Sequence, residues 1–212
     1  MKDIVIVGAG GHGKEVAFLI NKLPDYNLIG FYDDDKVGEI ICNVPVISKI
    51  SELKAMTSPI SVVLGIAKPR IKQEIVKTLI LNSNIIFPNL IDPRAELGIN
   101  IVLGIGNVIM TNTTFTADIN LGDFNMLNIG STVGHDVKIG SYNSIYPSVN
   151  ISGGVTIFDG SELGVGAKVI QGIEIGESAI VGAGSVVIKD VKNYEKVVGV
   201  PAKKIGGLKN ET

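Results

Sequence analysis

Leu97, Leu103, Ile109, Phe115, Leu121, Leu127, Val133, Ile139, Ile145, Ile151, Ile157, Leu163, Val169, Ile175, Val181 and Val187 mark every sixth residue of the stretch 97–187, and all are apolar. In a chain with 45% hydrophobic residues, an unbroken run of this length at one phase arises by chance on the order of a few times in a million. A period of six matches neither the 3.6 of a helix nor the plain alternation of a long strand, and it suits short strands joined by regular corners. Glycine often follows the periodic residue, as at Gly98, Gly122, Gly134, Gly140 and Gly164. Two residues before it the side chain is usually small or β-branched, as at Thr113, Ser131, Val137, Ala167 and Ser185. Both positions have the parity of a strand's inner face. The expectation is a parallel β-helix of about five coils, three hexads to a coil, with coils roughly 4.8 Å apart. Periodicity alone leaves the hand of the coil open.

Ahead of the repeat, Asp3 to Val7 reads as a buried strand, followed by Gly8-Ala9-Gly10-Gly11-His12-Gly13, a match to G-x-G-x-x-G, and a helical pattern over Lys14 to Leu23. Strand, glycine turn and helix N-terminus stand in the order a phosphate cradle needs, because unpaired N–H groups open the helix and glycine lets a diphosphate approach them. Asn27 to Tyr32 is a second strand with Asp33 and Asp34 at its carboxyl end, and Asp33 follows Gly13 by twenty residues, about where dinucleotide folds place a ribose-binding acid. His12 either contacts a ligand or simply accommodates the turn. Pro59 to Gly65 reads as another strand, Pro69 opens a helix reaching Leu81, and Asn84 to Ile91 reads as a last strand. The β-α-β rhythm covers only some 80 residues, half of a two-nucleotide fold, which favours a mononucleotide-like ligand over NAD. The expected domains are therefore 1–82, a Rossmann-like half-domain; 83–96, a connection; 97–190, the β-helix; and 191–212, a short C-terminal tail in which Val197 to Ile205 leaves the solenoid irregularly.

Composition narrows the partners. The 212 residues carry a formal net charge of −2, with a pI near 5.7, which gives no electrostatic footprint for nucleic acid or an anionic membrane. Mean hydropathy is +0.37, yet no apolar run approaches the roughly 18 residues needed to span a bilayer. Met1-Lys2-Asp3 leads into Ile4 without a secretory pattern, so a cytoplasmic protein is expected. The single Cys42 reads as a plain core or surface thiol, and no Cys or His cluster has metal-ligand spacing.

Within the repeat, His135 and Asp136 carry more chemistry than a corner requires. An imidazole is the side chain best suited to removing a proton near neutrality, and a carboxylate beside it fixes its tautomer. Adjacent strand residues point to opposite faces, which argues against a direct bond between the two unless a corner intervenes. Gly153-Gly154 marks a wider corner or a close backbone approach, and Ala183-Gly184-Ser185 offers little side-chain bulk against a long thin ligand.

Gly134-His135-Asp136-x-x-Ile139-Gly140, Val181 to Val187, Lys189-Asp190-Val191 and Gly199-Val200-Pro201-Ala202-Lys203, together with Gly8 to Lys14 and Tyr32-Asp33-Asp34, resemble the left-handed β-helix sugar O-/N-acyltransferases of the sialic acid and bacillosamine type. The resemblance covers essentially the whole chain. It implies an α/β Rossmann-like half-domain followed by a left-handed parallel β-helix, and a homotrimer with acetyl-CoA between neighbouring β-helices. It also implies a nucleotide-linked amino sugar on the N-terminal domain; no metal is expected, from the residue spacing above. It further implies that His135 is the general base and Asp136 its supporting acid, that Gly10, Gly11, His12, Asp33 and Asp34 hold the nucleotide sugar, and that Gly153, Val165 and Ala183 line the acetyl-CoA groove. Relatives often carry a second histidine nine residues after the base, where this chain has Ser144; its hydroxyl, or the backbone N–H of a coil glycine, is then the donor available to the thioester carbonyl. The expected activity is acetyl transfer to the amine of a UDP-linked 4-amino sugar. Its alternatives are O-acetylation of sialic acid, an NAD-dependent oxidoreductase suggested by the glycine motif, and a solenoid that only assembles.

Overall fold

The computed structural model describes residues 1–207, in two compact units that divide after Pro93. The first unit is a largely parallel sheet, antiparallel only at its β3 edge, with helices. Its strands are β1 (Lys2–Val7), β2 (Tyr26–Tyr32), β3 (Ile40–Ile41), β4 (Val44–Ser48), β5 (Ile60–Leu64) and β6 (Ile85–Ile86), in the order β3-β4-β2-β1-β5-β6. Strand β1 pairs in parallel on both sides, with β2 and β5. Its residues Ile4 to Val7 are buried, as a central strand covered on both faces requires.

Helix α1 (Gly11–Ile20) starts three residues earlier than the apolar pattern implies, inside the glycine motif. Helix α2 (Pro69–Leu79) has proline in its first turn, where the missing N–H costs no intrahelical bond. The expected last strand splits into Ile85–Ile86 and Leu90–Ile91, because Pro88 has no N–H to continue a ladder. The hairpin of β3 and β4 has no counterpart in the sequence reading. It turns at Cys42 and Asn43, both at positive φ, as a tight primed turn demands. Cys42 is exposed there.

In the second unit, up to Val187, the strands pair in parallel at an offset of eighteen residues. Met126 lies beside Ser144, Ser144 beside Glu162 and Glu162 beside Ile180. Thr132, Asn150, Lys168 and Val186 form a second such column, and Lys138, Thr156 and Glu174 a third. Three hexads thus close one coil. From Ile109 to Val187 every periodic residue is buried inside it. Burying one such side chain is worth roughly 1.5–3 kcal/mol, and a one-residue slip would expose the whole set, so the register is firmly specified. Leu97 and Leu103, in the first coil, are only half-buried.

Each corner carries a residue in the left-handed region, such as Asp118, Asp136, Gly154 and Gly172 down one edge. The core also holds a polar ladder that the sequence reading did not include. Asn107, Asn125, Asn143 and Ser161 stack at intervals of eighteen; Asn107 Oδ1 accepts from Asn125 N–H at 2.9 Å, Asn125 Oδ1 from Asn143 N–H at 2.8 Å and Asn143 Oδ1 from Ser161 N–H at 2.7 Å. These amides satisfy backbone donors that would otherwise be orphaned inside the coil.

The chain does not leave the solenoid irregularly after Val191. Glu195–Val198 adds in parallel to Ile180–Val181, then pairs antiparallel with Lys203–Gly207. This hairpin covers the open end of one sheet, which is how an edge of unpaired N–H and C=O groups is protected. The expected short tail over 191–212 thus holds the strands Glu195–Val198 and Lys203–Gly207; 208–212 lie outside the described residues.

Candidate active site

The His135 corner begins with backbone. Asp136 takes a φ of 57° and its N–H donates to Ala117 O at 3.1 Å, one rung above. That left-handed turn removes the alternation of adjacent side chains, and Asp136 Oδ2 comes to 2.7 Å from His135 Nδ1. Both side chains stay open, 70% exposed for His135 and 68% for Asp136. A pair this exposed adds little to stability. It does hold the Nδ1 proton toward the carboxylate and leaves the Nε2 lone pair outward, the tautomer a proton acceptor needs.

The other acetyl-CoA candidates divide. Gly153 lies eighteen residues on, directly under His135: a Cβ built on it would stand 2.5 Å from the imidazole Nε2. Val165, 52% exposed, and exposed Ala183 stack on the other edge of the face that carries Thr132–Val133. Within one protomer they are not brought to His135. Ser144 is fully buried, 0% exposed, so its hydroxyl cannot meet a ligand on the surface; the thioester contact expected of it is corrected accordingly. Near the Val165 edge, Tyr146 donates its hydroxyl to Glu162 Oε2 at 2.9 Å. Burial, then the charge and hydrogen bond of Glu162, push the Tyr146 phenol up to about 12, so it stays protonated at any working pH.

In the first unit the glycine loop divides in two. Gly8 and Gly13 are demanded by packing: a Cβ on Gly13 would overlap Gly8 O, and one on Gly8 would meet Ile66. Gly10 and Gly11 are exposed, with nothing near a hypothetical Cβ. The space beside them is therefore free for a ligand. Helix α1 has no side-chain cap and no acidic residue in its first turn, which leaves its N–H groups and the positive end of its dipole suited to an anion.

His12 Nδ1 pairs with Glu15 Oε2 at 2.9 Å; its side chain is only 8% exposed and Nε2 has no partner. Asp33 braces the loop, accepting from Ala9 N–H at 2.8 Å and from Asp35 N–H at 3.1 Å, while Lys36 Nζ donates to Ala9 O at 3.0 Å. Asp34 Oδ1 accepts from Ile50 N–H at 2.9 Å. Both acids are thus engaged with backbone, and Lys36 is a loop residue the sequence reading missed; its only signal is its place just after the Asp run. Among the described residues no group of three or more His, Cys, Asp and Glu comes together as a metal site, and no helix is long and apolar enough to cross a membrane.

Comparison with known proteins places both units. The PglD N-terminal domain family matches residues 3–79. A UDP-N-acetylbacillosamine N-acetyltransferase of Bacillus subtilis is 32% identical over 115 residues, 52% of this chain and 52% of that protein. The chain thus spans about half the length of that curated relative. Among solved structures, the acetyltransferase domain of PglB from Neisseria gonorrhoeae superposes with a TM-score of 0.92 at 31% identity, covering 97% of this chain and 100% of that one. A perosamine N-acetyltransferase from Caulobacter crescentus, solved with CoA and GDP-perosamine, gives a TM-score of 0.90 at 30% identity over 97% and 98% of the two chains. With this likeness across both units, the chain belongs to the left-handed β-helix sugar acyltransferases, the family of the PglB acetyltransferase domain.

Proposed function

We propose that this protein transfers the acetyl group of acetyl-CoA to the amine of a nucleotide-linked, UDP-carried 4-amino sugar, with His135 as general base. The observation that carries the reading is the exposed His135 imidazole, its Nδ1 at 2.7 Å from Asp136. Supporting it, the relatives named above include a UDP-N-acetylbacillosamine N-acetyltransferase and an enzyme solved with CoA and a GDP-linked amino sugar.

The amine nitrogen attacks the thioester carbonyl carbon directly. The N–C bond forms, the C–S bond breaks, His135 Nε2 takes the amine proton and delivers it to the leaving thiolate, and Asp136 stabilises the imidazolium between those steps. Gly10 and Gly11 admit the diphosphate to the α1 N-terminus. His12 offers its unpaired Nε2, and Asp33 and Asp34 hold the loop in shape. Gly153, Val165 and Ala183 line the acetyl-CoA groove. Since Val165 and Ala183 occupy a different edge from His135, the groove is proposed to form between protomers of a homotrimer. The polarising contact to the thioester carbonyl is assigned to a coil backbone N–H in place of Ser144.

The test is thiol release from acetyl-CoA with UDP- and GDP-linked 4-amino sugars offered in parallel, using purified protein whose mass in solution is measured alongside. Turnover on a UDP-linked amine by a trimer is the expected result. Silence on every amino sugar defeats the proposal, and turnover on GDP-linked sugars alone reassigns the nucleotide.

A further inference from the structure

We propose that Gly153 is a positioning residue for His135, its missing Cβ being the space in which the imidazole carries Nε2. The inference rests on the reading of His135 as proton acceptor. A methyl group at residue 153 would stand 2.5 Å from Nε2, 2.6 Å from Cε1 and 3.0 Å from Cδ2, inside van der Waals contact with three ring atoms. The opposite side of the ring is tethered by Asp136 Oδ2 at 2.7 Å from Nδ1. The backbone beneath it is fixed by Gly154 N–H donating to His135 O at 2.8 Å and Asp136 N–H donating to Ala117 O at 3.1 Å. The carboxylate and the main chain therefore set one edge of the imidazole, and the bare Cα of Gly153 sets the other.

Gly134 fixes how deep that floor lies. A Cβ on Gly134 would stand 2.7 Å from Gly153 N and 2.9 Å from Ser152 C, so the two rungs approach more closely here than any larger residue permits. Backbone conformation does not explain the glycine at 153. Its φ lies outside the left-handed region, whereas its neighbour Gly154 has a φ of +67°. Alanine is thus conformationally acceptable at 153, and what it meets is the far end of a side chain that can rotate away. One rung below, the equivalent position is Gln171, so the corner as such does not require glycine there. A ring also fills the place of a Cβ at Gly106, where it is Phe124, but at 153 that ring is the His135 imidazole.

The consequence lies in placement. Nε2 has to meet the proton of the attacking amine, and a displacement of about 1 Å in a reacting group can cost on the order of a hundredfold in rate. Gly153→Ala in the full chain should melt as the parent does, lose roughly ten- to hundredfold in kcat, and change the KM for acetyl-CoA much less. The chain has two histidines, so imidazole ¹H–¹⁵N spectra read each separately. The His135 signals should move toward a mixed tautomer while those of His12 stay in place. Gly130→Ala, at a φ of +68° with only Ser148 Oγ near its Cβ, serves as the control: it should lower the melting temperature and keep kcat.

Unmoved His135 signals in Gly153→Ala overturn the seat, whatever the rates. Moved signals with full kcat overturn its catalytic consequence, and a rise in KM alone reduces Gly153 to groove lining. Full turnover by His135→Ala would instead defeat the proton-acceptor reading while the spectra still report on the seat, so the two failures are distinguishable.

Discussion

The two histidines of this chain sit in opposite settings built from the same parts. Each presents Nδ1 to a carboxylate near it in sequence, His135 to Asp136 at 2.7 Å and His12 to Glu15 at 2.9 Å. Each has glycine next to it in the chain, Gly134 before His135 and Gly11 and Gly13 around His12. His135 projects from a coil corner with its ring largely open, whereas His12 is packed into the α1 N-terminus with Nε2 buried and unpartnered. A buried polar atom without a partner costs about 1–3 kcal/mol, a penalty that the fold retains where a ligand could relieve it. The solenoid thus exposes a reactive atom, while the α/β unit withholds one.

The sharpest way to break this contrast is to remove each ring. His135→Ala should lower kcat by about 10²–10⁴-fold, the usual share of general-base catalysis, and leave the KM of the nucleotide sugar nearly unchanged. His12→Ala should do the reverse, raising that KM roughly tenfold, the equivalent of one modest hydrogen bond, with kcat largely kept. Steady-state kinetics with both substrates varied decides the matter; equal losses in kcat for the two variants would erase the distinction.

A smaller effect tests whether the exposed corner depends on the coil's interior. Asn125 accepts from Asn143 N–H and donates to Gly140 O at 2.9 Å, so Asn125→Ala leaves buried donors and acceptors unpaired. It should cost about 2 kcal/mol in urea unfolding while the His135 spectrum is preserved. A destabilised variant with a displaced His135 would show that corner and ladder are mechanically one.

The smallest effect is the pH response of Tyr146. Its phenol is raised from an ordinary 10 to about 12, first by burial and then by Glu162. The folded state therefore favours the protonated form. The associated stability is fully present below pH 10 and is lost as the pH rises from 10 through 12. Tyr146→Phe should cost about 1 kcal/mol at neutral pH and flatten this alkaline decline, as followed by denaturant melts at pH 8 and 11. A decline of equal depth in the variant would assign it to other groups.

Much of the architecture could be read from residues alone. The six-residue apolar period requires a coil whose inner face is filled by fixed positions, and the structure fills them from Ile109 to Val187. The Asn ladder escaped because asparagine is polar and its signal is a spacing of eighteen, visible only once coils are stacked. The β3–β4 hairpin escaped because Cys42-Asn43 lacks the glycine that usually marks such a turn. The closing strand Glu195–Val198 escaped because its partner, Ile180–Val181, belongs to the coil before it.

By itself, then, the sequence determined which residues face inward, where the glycine loop meets a helix, and that His135 and Asp136 are neighbours, because periodicity and local conformational preference act over a few residues. Tertiary structure alone decided that Asp136 turns back onto the imidazole, that Gly153 lies beneath it, that Ser144 is sealed in and that Val165 and Ala183 take another edge. Those outcomes depend on rungs eighteen residues apart coming into van der Waals contact, and no local preference specifies what a neighbouring coil leaves room for.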